Sequence, residues 1–275
     1  SIGGGLGGAS TSPSWILPVD PTLALPPMPS TGSSWPKPMP KLTAEQKAIR
    51  DDFMQHFYEQ FSDRYGAIAW FSHIYPKRTS QPGLRTLDIG AGMGEHLDFE
   101  DARDQHYVAL ELRPEMARVI EERHPYVSTL VGDAEEALPF DDASFDRVIA
   151  IHVLEHLRNL PAALQEVRRV LRPGGAFAIV IPCEGGFAYG VGRRFTSQRI
   201  FEKRYHTSYD WYIRTEHFNV PAEIVAELDQ RFEPEHRTFF PTKVPSVHLN
   251  VCMGLTYRRS ADRLMPRGVA APQED

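Results

Sequence analysis

Little cysteine, no long apolar run and no excess of positive charge set the first bounds on this chain of 275 residues. Only Cys183 and Cys252 are present, too few for a disulfide framework or a cysteine-rich zinc site, and that usage fits a reducing, cytoplasmic setting. No apolar stretch approaches the roughly 20 residues that span a bilayer, so no membrane span is expected. A formal net charge of −6 argues against holding long nucleic acid by bulk electrostatics, although a local basic face stays compatible with it. The opening Ser1 to Gly8 has neither the charged region nor the apolar core of a secretory signal, and reads as a flexible end or a cloning remnant. Internal repeats are missing as well, and the length suits one main core with extensions.

What is present is ordered by composition. Residues 1–41 are rich in Gly, Ser and Pro and read as a flexible arm, with Trp15, Ile16, Leu17 and Trp35 as apolar anchors for the domain or for a partner. Residues 42–83 form an N-terminal helical cap. Thr43-Ala44-Glu45-Gln46 fits a capping box, and Ile49, Phe53, Phe57 and Phe61 recur along one helical face. From 84 to 257 short apolar strands alternate with helices, which predicts an α/β fold with a doubly wound, mostly parallel, seven-stranded, Rossmann-like sheet. Strands are expected at Arg85 to Ile89, Tyr107 to Leu110, Val127 to Val131, Phe145 to Ile151 and Ala176 to Ile181, with closing strands at Glu235 to Phe240 and Val247 to Tyr257. Helices are expected from Pro114, from Pro161 and from Pro221. Residues 183–217 form an insertion after the fifth strand, and 258–275 a tail.

The densest signal is Leu87-Asp88-Ile89-Gly90-Ala91-Gly92-Met93-Gly94, an apolar strand that breaks into glycines at alternate positions. Such a turn lets a ligand approach closer than a Cβ would permit. Dinucleotides and S-adenosylmethionine both use turns of this kind. The dinucleotide spacing G-x-G-x-x-G is not met, because Glu95 stands where its third glycine would fall. Asp88 would repel a pyrophosphate but accept hydrogen bonds from an ammonium. Further along, Glu111 ends the second strand, where an acid can take both hydroxyls of a ribose. Asp133 ends the third, placed to accept from an adenine amino group. Ile151 and His152 end the fourth, flanking a methionine portion.

With Leu87 to Gly94, Val108 to Glu111, Gly132 to Glu135, Leu138 to Phe140, Phe145 to Ile149, Val153 to Leu157 and Val170 to Gly175 taken together, the chain resembles the class I S-adenosylmethionine-dependent methyltransferases, in the broad small-molecule and quinone-pathway group. The resemblance implies S-adenosyl-L-methionine as cofactor, S-adenosyl-L-homocysteine as product, and a cofactor-binding set of Asp88, Gly90, Ala91, Gly92, Glu111, Leu112, Asp133, Ala134 and Ile151, with Leu112 against the adenine. Arg113 departs from the small or acidic residue common there.

Methyl transfer is an in-line displacement, so the protein must align the acceptor and exclude water. A hydroxyl acceptor gains from a base, and His152 is the first candidate, with His217 the second. No metal is expected. His152, Glu155, His156 and His217 nonetheless resemble the metal-holding pattern of plant small-RNA 2′-O-methyltransferases, with His in place of the first Glu. The insertion mixes Phe187, Tyr189, Phe195, Phe201, Tyr205, Tyr209, Trp211 and Tyr212 with Arg193, Arg194, Arg199, Lys203, Arg204 and Arg214. That mixture suits a small-molecule acceptor such as a sugar, glycolipid or aromatic metabolite, suits single-stranded RNA, and equally suits an ordinary packed segment. The expected function is methylation of a small-molecule hydroxyl. RNA 2′-O-methylation and a catalytically silent binding subunit are the alternatives, and a homodimer is compatible with all three.

Overall fold

Among the described residues seven strands carry the fold: β1 (Arg85–Ile89), β2 (His106–Glu111), β3 (Ser128–Val131), β4 (Phe145–Ile151), β5 (Leu171–Pro182), β6 (Glu233–Phe240) and β7 (Cys252–Arg258). The computed structural model describes residues 34–60 and 66–261. One sheet takes the strands in the order β3-β2-β1-β4-β5-β7-β6. β1 to β5 pair in parallel, whereas β7 runs antiparallel to both β5 and β6. The sheet is therefore mixed, because β6 and β7 are joined by the 241–251 loop and not by a crossover helix.

Among the described residues there are eight α-helices: α1 (Ala44–Gln60), α2 (Gly66–Ile74), α3 (Pro114–Arg123), α4 (Leu160–Val170), α5 (Phe187–Phe195), α6 (Ser197–Tyr205), α7 (Tyr209–Glu216) and α8 (Pro221–Arg231). Strand alternation divides the core. Leu87, Ile89, Val148, Ala150, Phe177 and Ile179 pack with Leu164 and Val167 of α4 and with Ile224 and Leu228 of α8. On the opposite face Tyr107, Ala109 and Ile149 pack with Ile120 of α3. Burying such side chains contributes about 1.5–3 kcal/mol each.

The capping box forms: Gln46 N donates to Thr43 Oγ1 (3.1 Å), and Thr43 N to Gln46 Oε1 (3.0 Å). Phe53 of α1 is 1% exposed and meets Phe201 and Tyr212 edge-on at 5.0 and 5.1 Å. α1 is thus pinned to α6 and α7. The arm's last residues are also fixed to the body. Trp35 packs against the main core, Lys37 N donates to Arg158 O at 2.8 Å, and Lys37 Nζ pairs with Glu223 at 2.7 Å. At the other end Arg259 N donates to Gly175 O, so the expected tail begins as bound chain. Residues 1–33 with Trp15, Ile16 and Leu17, the side chain of Phe57, Phe61, and residues 262–275 lie outside the described residues.

Two expected strand starts move by several residues, and the segment after the glycines, for which no element was expected, opens no α-helix. Gly94 at φ 81° leads into a 3-10 turn, Glu95–Asp98, and a second follows at Ala102–Asp104. β5 begins at Leu171, five residues before the expected Ala176, because Gly174 N and Arg259 O extend the ladder past the Pro-Gly-Gly. Val247–Leu249 is a 3-10 turn outside β7. Asn250 holds that loop folded by donating to Val244 O and Ser246 O while accepting from Thr242 N.

Candidate cofactor and acceptor site

The sheet order reverses between β1 and β4, and in open α/β sheets such a switch point leaves a crevice at the carboxyl ends of the strands. A cleft of about 290 Å³ lies there. Of the sequence-predicted residues, Gly90, Gly92, Glu111, Leu112, Asp133, Ala134, His152 and His156 line it. A second cavity of about 220 Å³ adjoins it and shares Leu110, Gly132 and Asp133.

The turn is built for close approach. Gly90 and Gly92 sit at φ 65° and 60°, where only glycine is unstrained. A Cβ at Gly90 would fall 2.5 Å from Val153 Cγ2. Gly90 N and Ala91 N both donate to Leu110 O, at 2.8 and 3.1 Å, which locks the turn to β2. Glu111 closes the crevice: its two carboxylate oxygens accept from Gly92 N (2.9 Å) and Arg113 N (3.0 Å). Burial raises its pKa against these hydrogen bonds. Leu112 is 59% exposed beside it, an apolar surface at the cleft wall. Asp133 Oδ1 accepts from Glu135 N at 2.8 Å, a turn that fixes the loop after β3.

S-adenosylmethionine fits this set. Glu111 is anchored by backbone amides and keeps lone pairs for a diol, Leu112 offers an apolar face for a planar base, and the turn leaves no Cβ in the way. Because no helix starts at the glycines, the anion site that a helix N-terminus gives a pyrophosphate is missing from this turn.

Other expected residues stand back from the cleft. Asp88 is 2% exposed and accepts from Tyr107 Oη at 2.8 Å, and burial pushes its carboxyl up to about 6. Ala91 is buried in the core face beneath the turn, with Ile151 packed against the same cluster. His217 lies behind His156, ring centroids 4.8 Å apart and edge-on. Its Nδ1 pairs with Glu184 at 2.5 Å. Burial opposes charge on His217, yet the Glu184 hydrogen bond, with Glu155 and Glu216 nearby, leaves its pKa raised. His156 Nδ1 meets Glu216 O at 2.7 Å, and burial lowers its pKa. Among the described residues no group of three or more His, Cys, Asp or Glu converges as metal ligands.

His152 stands at the mouth of the cleft in the left-handed region, φ 53°. Its backbone N donates to Val180 O (2.9 Å), holding that strained turn to β5. The ring spans two partners: Nε2 meets Ser72 Oγ of α2 at 2.9 Å, and Nδ1 faces Glu155 Oε1 at 3.4 Å. Burial opposes charge on Glu155, but the His152 hydrogen bond and neighbouring His156 and His217 hold its carboxyl below the usual range.

The rest of the wall was not foreseen: Met39 from the arm, Arg50 and Met54 from α1, and Thr215, Glu216 and Phe218 from α7 and the segment after it. Arg50 Nε pairs with Glu216 Oε1 at 2.5 Å across it. Arg50 and Met54 share a helical face, which spacing shows, but nothing local ties that face to the glycine turn.

A crevice at the sheet's switch point, closed by a strand-end acid beside a glycine turn, is where open α/β sheets take a nucleoside-bearing ligand. Comparison with known proteins makes the assignment specific. Residues 87–179 match the family described as Methyltransferase domain, and with methyltransferases among the relatives this supports an S-adenosylmethionine-dependent methyltransferase. A probable phthiotriol/phenolphthiotriol dimycocerosates methyltransferase 2 of Mycobacterium ulcerans is 37% identical over 120 residues, covering 40% of this chain and 46% of the relative. Malonyl-[acyl-carrier protein] O-methyltransferase of Serratia marcescens is 38% identical over 139 residues, 49% of this chain and 54% of the relative. The chain thus spans about half the length of these curated relatives. Among solved structures, the protein crystallised with the Haloferax volcanii Trm112 methyltransferase activator superposes with a TM-score of 0.54 at 18% identity, covering 80% of this chain and all of its own. That likeness is one of fold.

Proposed function

We propose that the protein transfers a methyl group from S-adenosylmethionine to a hydroxyl oxygen of a small molecule. The observation that supports this most is His152 at the cleft mouth, held by Ser72 and Glu155. When bound, the sulfonium supplies an electrophilic methyl for in-line displacement. Glu111, the glycine turn and Leu112 would hold the nucleoside, and Asp133 its base amino group. The buried Asp88 supports the turn from beneath instead of touching the ligand. With Glu155 ionised, the imidazole proton sits on Nδ1 and Nε2 accepts from Ser72 Oγ, so the acceptor hydroxyl has to displace Ser72 before Nε2 can take its proton. α1, α7 and the end of the arm cover this mouth with Met39, Arg50, Met54 and Phe218 and limit water.

RNA 2′-O-methylation is the second reading: Phe201, Tyr209 and Tyr212 are buried in the α1 contact, which leaves Phe187 and Phe195 as the strongly exposed aromatic rings of the insertion. The test is incubation of the full chain with labelled S-adenosylmethionine and fractionated extract from its own source, with RNA assayed separately. Label is expected in a small hydroxylated product. His152→Asn should lower kcat about 10²–10⁴-fold at unchanged cofactor affinity. Label in RNA alone overturns the acceptor class. Cofactor binding without any label favours a silent subunit.

A further inference from the structure

None of the residues of α5 is fully buried, although Tyr189 packs against the main core. Phe187, Val191 and Phe195 fall on one helical stripe and are exposed, Phe187 at 73% and Phe195 at 70%. The 3-10 turn Val247–Leu249 packs against α5, with the Val247 carbonyl so close to Gly186 that a Cβ there would clash. That loop adds two more exposed apolar side chains, Val244 and Leu249. Five exposed hydrophobic groups on two adjoining segments are unusual for a surface that faces water alone. Charge gives the occupant. Neither 185–201 nor 236–260 contains an aspartate or glutamate. Arg194 and Arg199 are exposed beside the stripe, and Lys243 is exposed in the loop. The surrounding chain is acidic overall, with a net charge of −6, so this face is a local reversal of sign. The nearest acids in sequence are engaged: Glu184 with His217, and Glu202 with Gln198.

We propose that α5 and the 241–250 loop form a docking face for an anionic lipid bilayer. Phe187, Val191, Phe195 and Leu249 enter the headgroup boundary while Arg194, Arg199 and Lys243 pair with lipid phosphates. An apolar stripe flanked by cations, with no acid to repel phosphate, is the pattern of an interfacial helix. α5 follows β5 directly at the carboxyl edge of the sheet, the edge that carries the cleft, so docking brings the cleft mouth to the side where an amphiphilic acceptor resides. The proposal does not need the methyl-transfer reading, since it concerns binding alone.

The test is co-sedimentation of the full chain with vesicles of phosphatidylcholine alone and of phosphatidylcholine with phosphatidylglycerol. Binding to the anionic vesicles is expected, weakening as salt is raised. The exposed variant Phe187→Ser/Phe195→Ser should lose at least about tenfold in the partition constant, and Arg194→Glu/Arg199→Glu a similar factor, with melting temperatures unchanged. No sedimentation with either vesicle overturns the proposal, as does equal binding by wild type and both variants. A wild-type dimer in light scattering that Phe187→Ser/Phe195→Ser makes monomeric also overturns it, because the face then belongs to a second copy.

Discussion

At the scale of single residues, two carboxylates of the glycine-turn region divide the work. Glu111 stands at the cleft with both oxygens held by amides. Glu111→Ala removes an anchored acceptor pair, and S-adenosylmethionine binding by calorimetry should weaken about ten- to a hundredfold, the cost of one to two charge-assisted hydrogen bonds. Unchanged affinity would remove Glu111 from the site. Asp88 acts on stability. Its carboxyl is raised from 3.8 to about 6 by burial, so its contribution is complete below about pH 4 and lost as pH rises through 6. Asp88→Asn fixes the uncharged form and keeps an acceptor for Tyr107. Its thermal stability should equal wild type near pH 4 and exceed it by roughly 2–3 kcal/mol at pH 8. The sequence placed an acid beside the turn. The pairing of Thr86 with Tyr107, which brings that phenol over Asp88, is a matter of register between strands and left no local trace.

At the scale of elements, the first five strands and the helices begun by Pro114, Pro161 and Pro221 were legible because each rests on local signals: apolar runs, proline starts, glycine stops. β7's antiparallel direction was not, since an apolar strand reads the same in either sense and only the loop 241–251 decides it. The form of the segment after the glycines, for which the sequence carried no expectation, is set at long range. Arg147, fully buried on β4, pairs with Glu100 Oε2 at 2.8 Å and donates to Pro76 O and Thr79 Oγ1. Those long-range contacts hold the 95–104 segment in 3-10 turns. The side of the cleft wall built from strand ends was legible, because those residues follow apolar runs, and the side where α1 meets α6 and α7 was not. That contact yields a prediction. Phe53→Ala empties the centre of the aromatic cluster and should cost about 3–5 kcal/mol, read by thermal melting. Because Arg50 and Met54 ride on the same helix, the acceptor KM should rise more than the cofactor dissociation constant. A loss confined to melting temperature would leave α1 a purely structural cover.

For the molecule as a whole, the buried histidines set the response to acid. His73 of α2 stacks on Phe99 at 5.4 Å and on His96 at 6.2 Å. Its Nδ1 is buried without a hydrogen-bond partner. Burial, with His96 and His152 nearby, lowers its pKa to about 3. The unfolded chain takes up that proton near 6.5 and the folded chain does not, so stability falls as pH drops from 6.5 toward 3. Glu100 adds to the loss further down. Burial opposes its charge, but His96, Arg147 and Ser80 hold its carboxyl at about 2, so the stability it gives above 4.5 disappears as pH approaches 2. Asp88 moves the other way between 6 and 4, which makes differences from wild type the clean measurement. His73→Phe keeps the stack on Phe99 and removes the proton site. Relative to wild type it should gain about 1 kcal/mol per pH unit from 6.5 down to 4 and show no such trend above 7, in denaturant titrations across that range. A displacement of the same size at pH 4.5 and pH 8 would mean that the substitution changed packing alone, and that His73 does not govern how this fold meets acid.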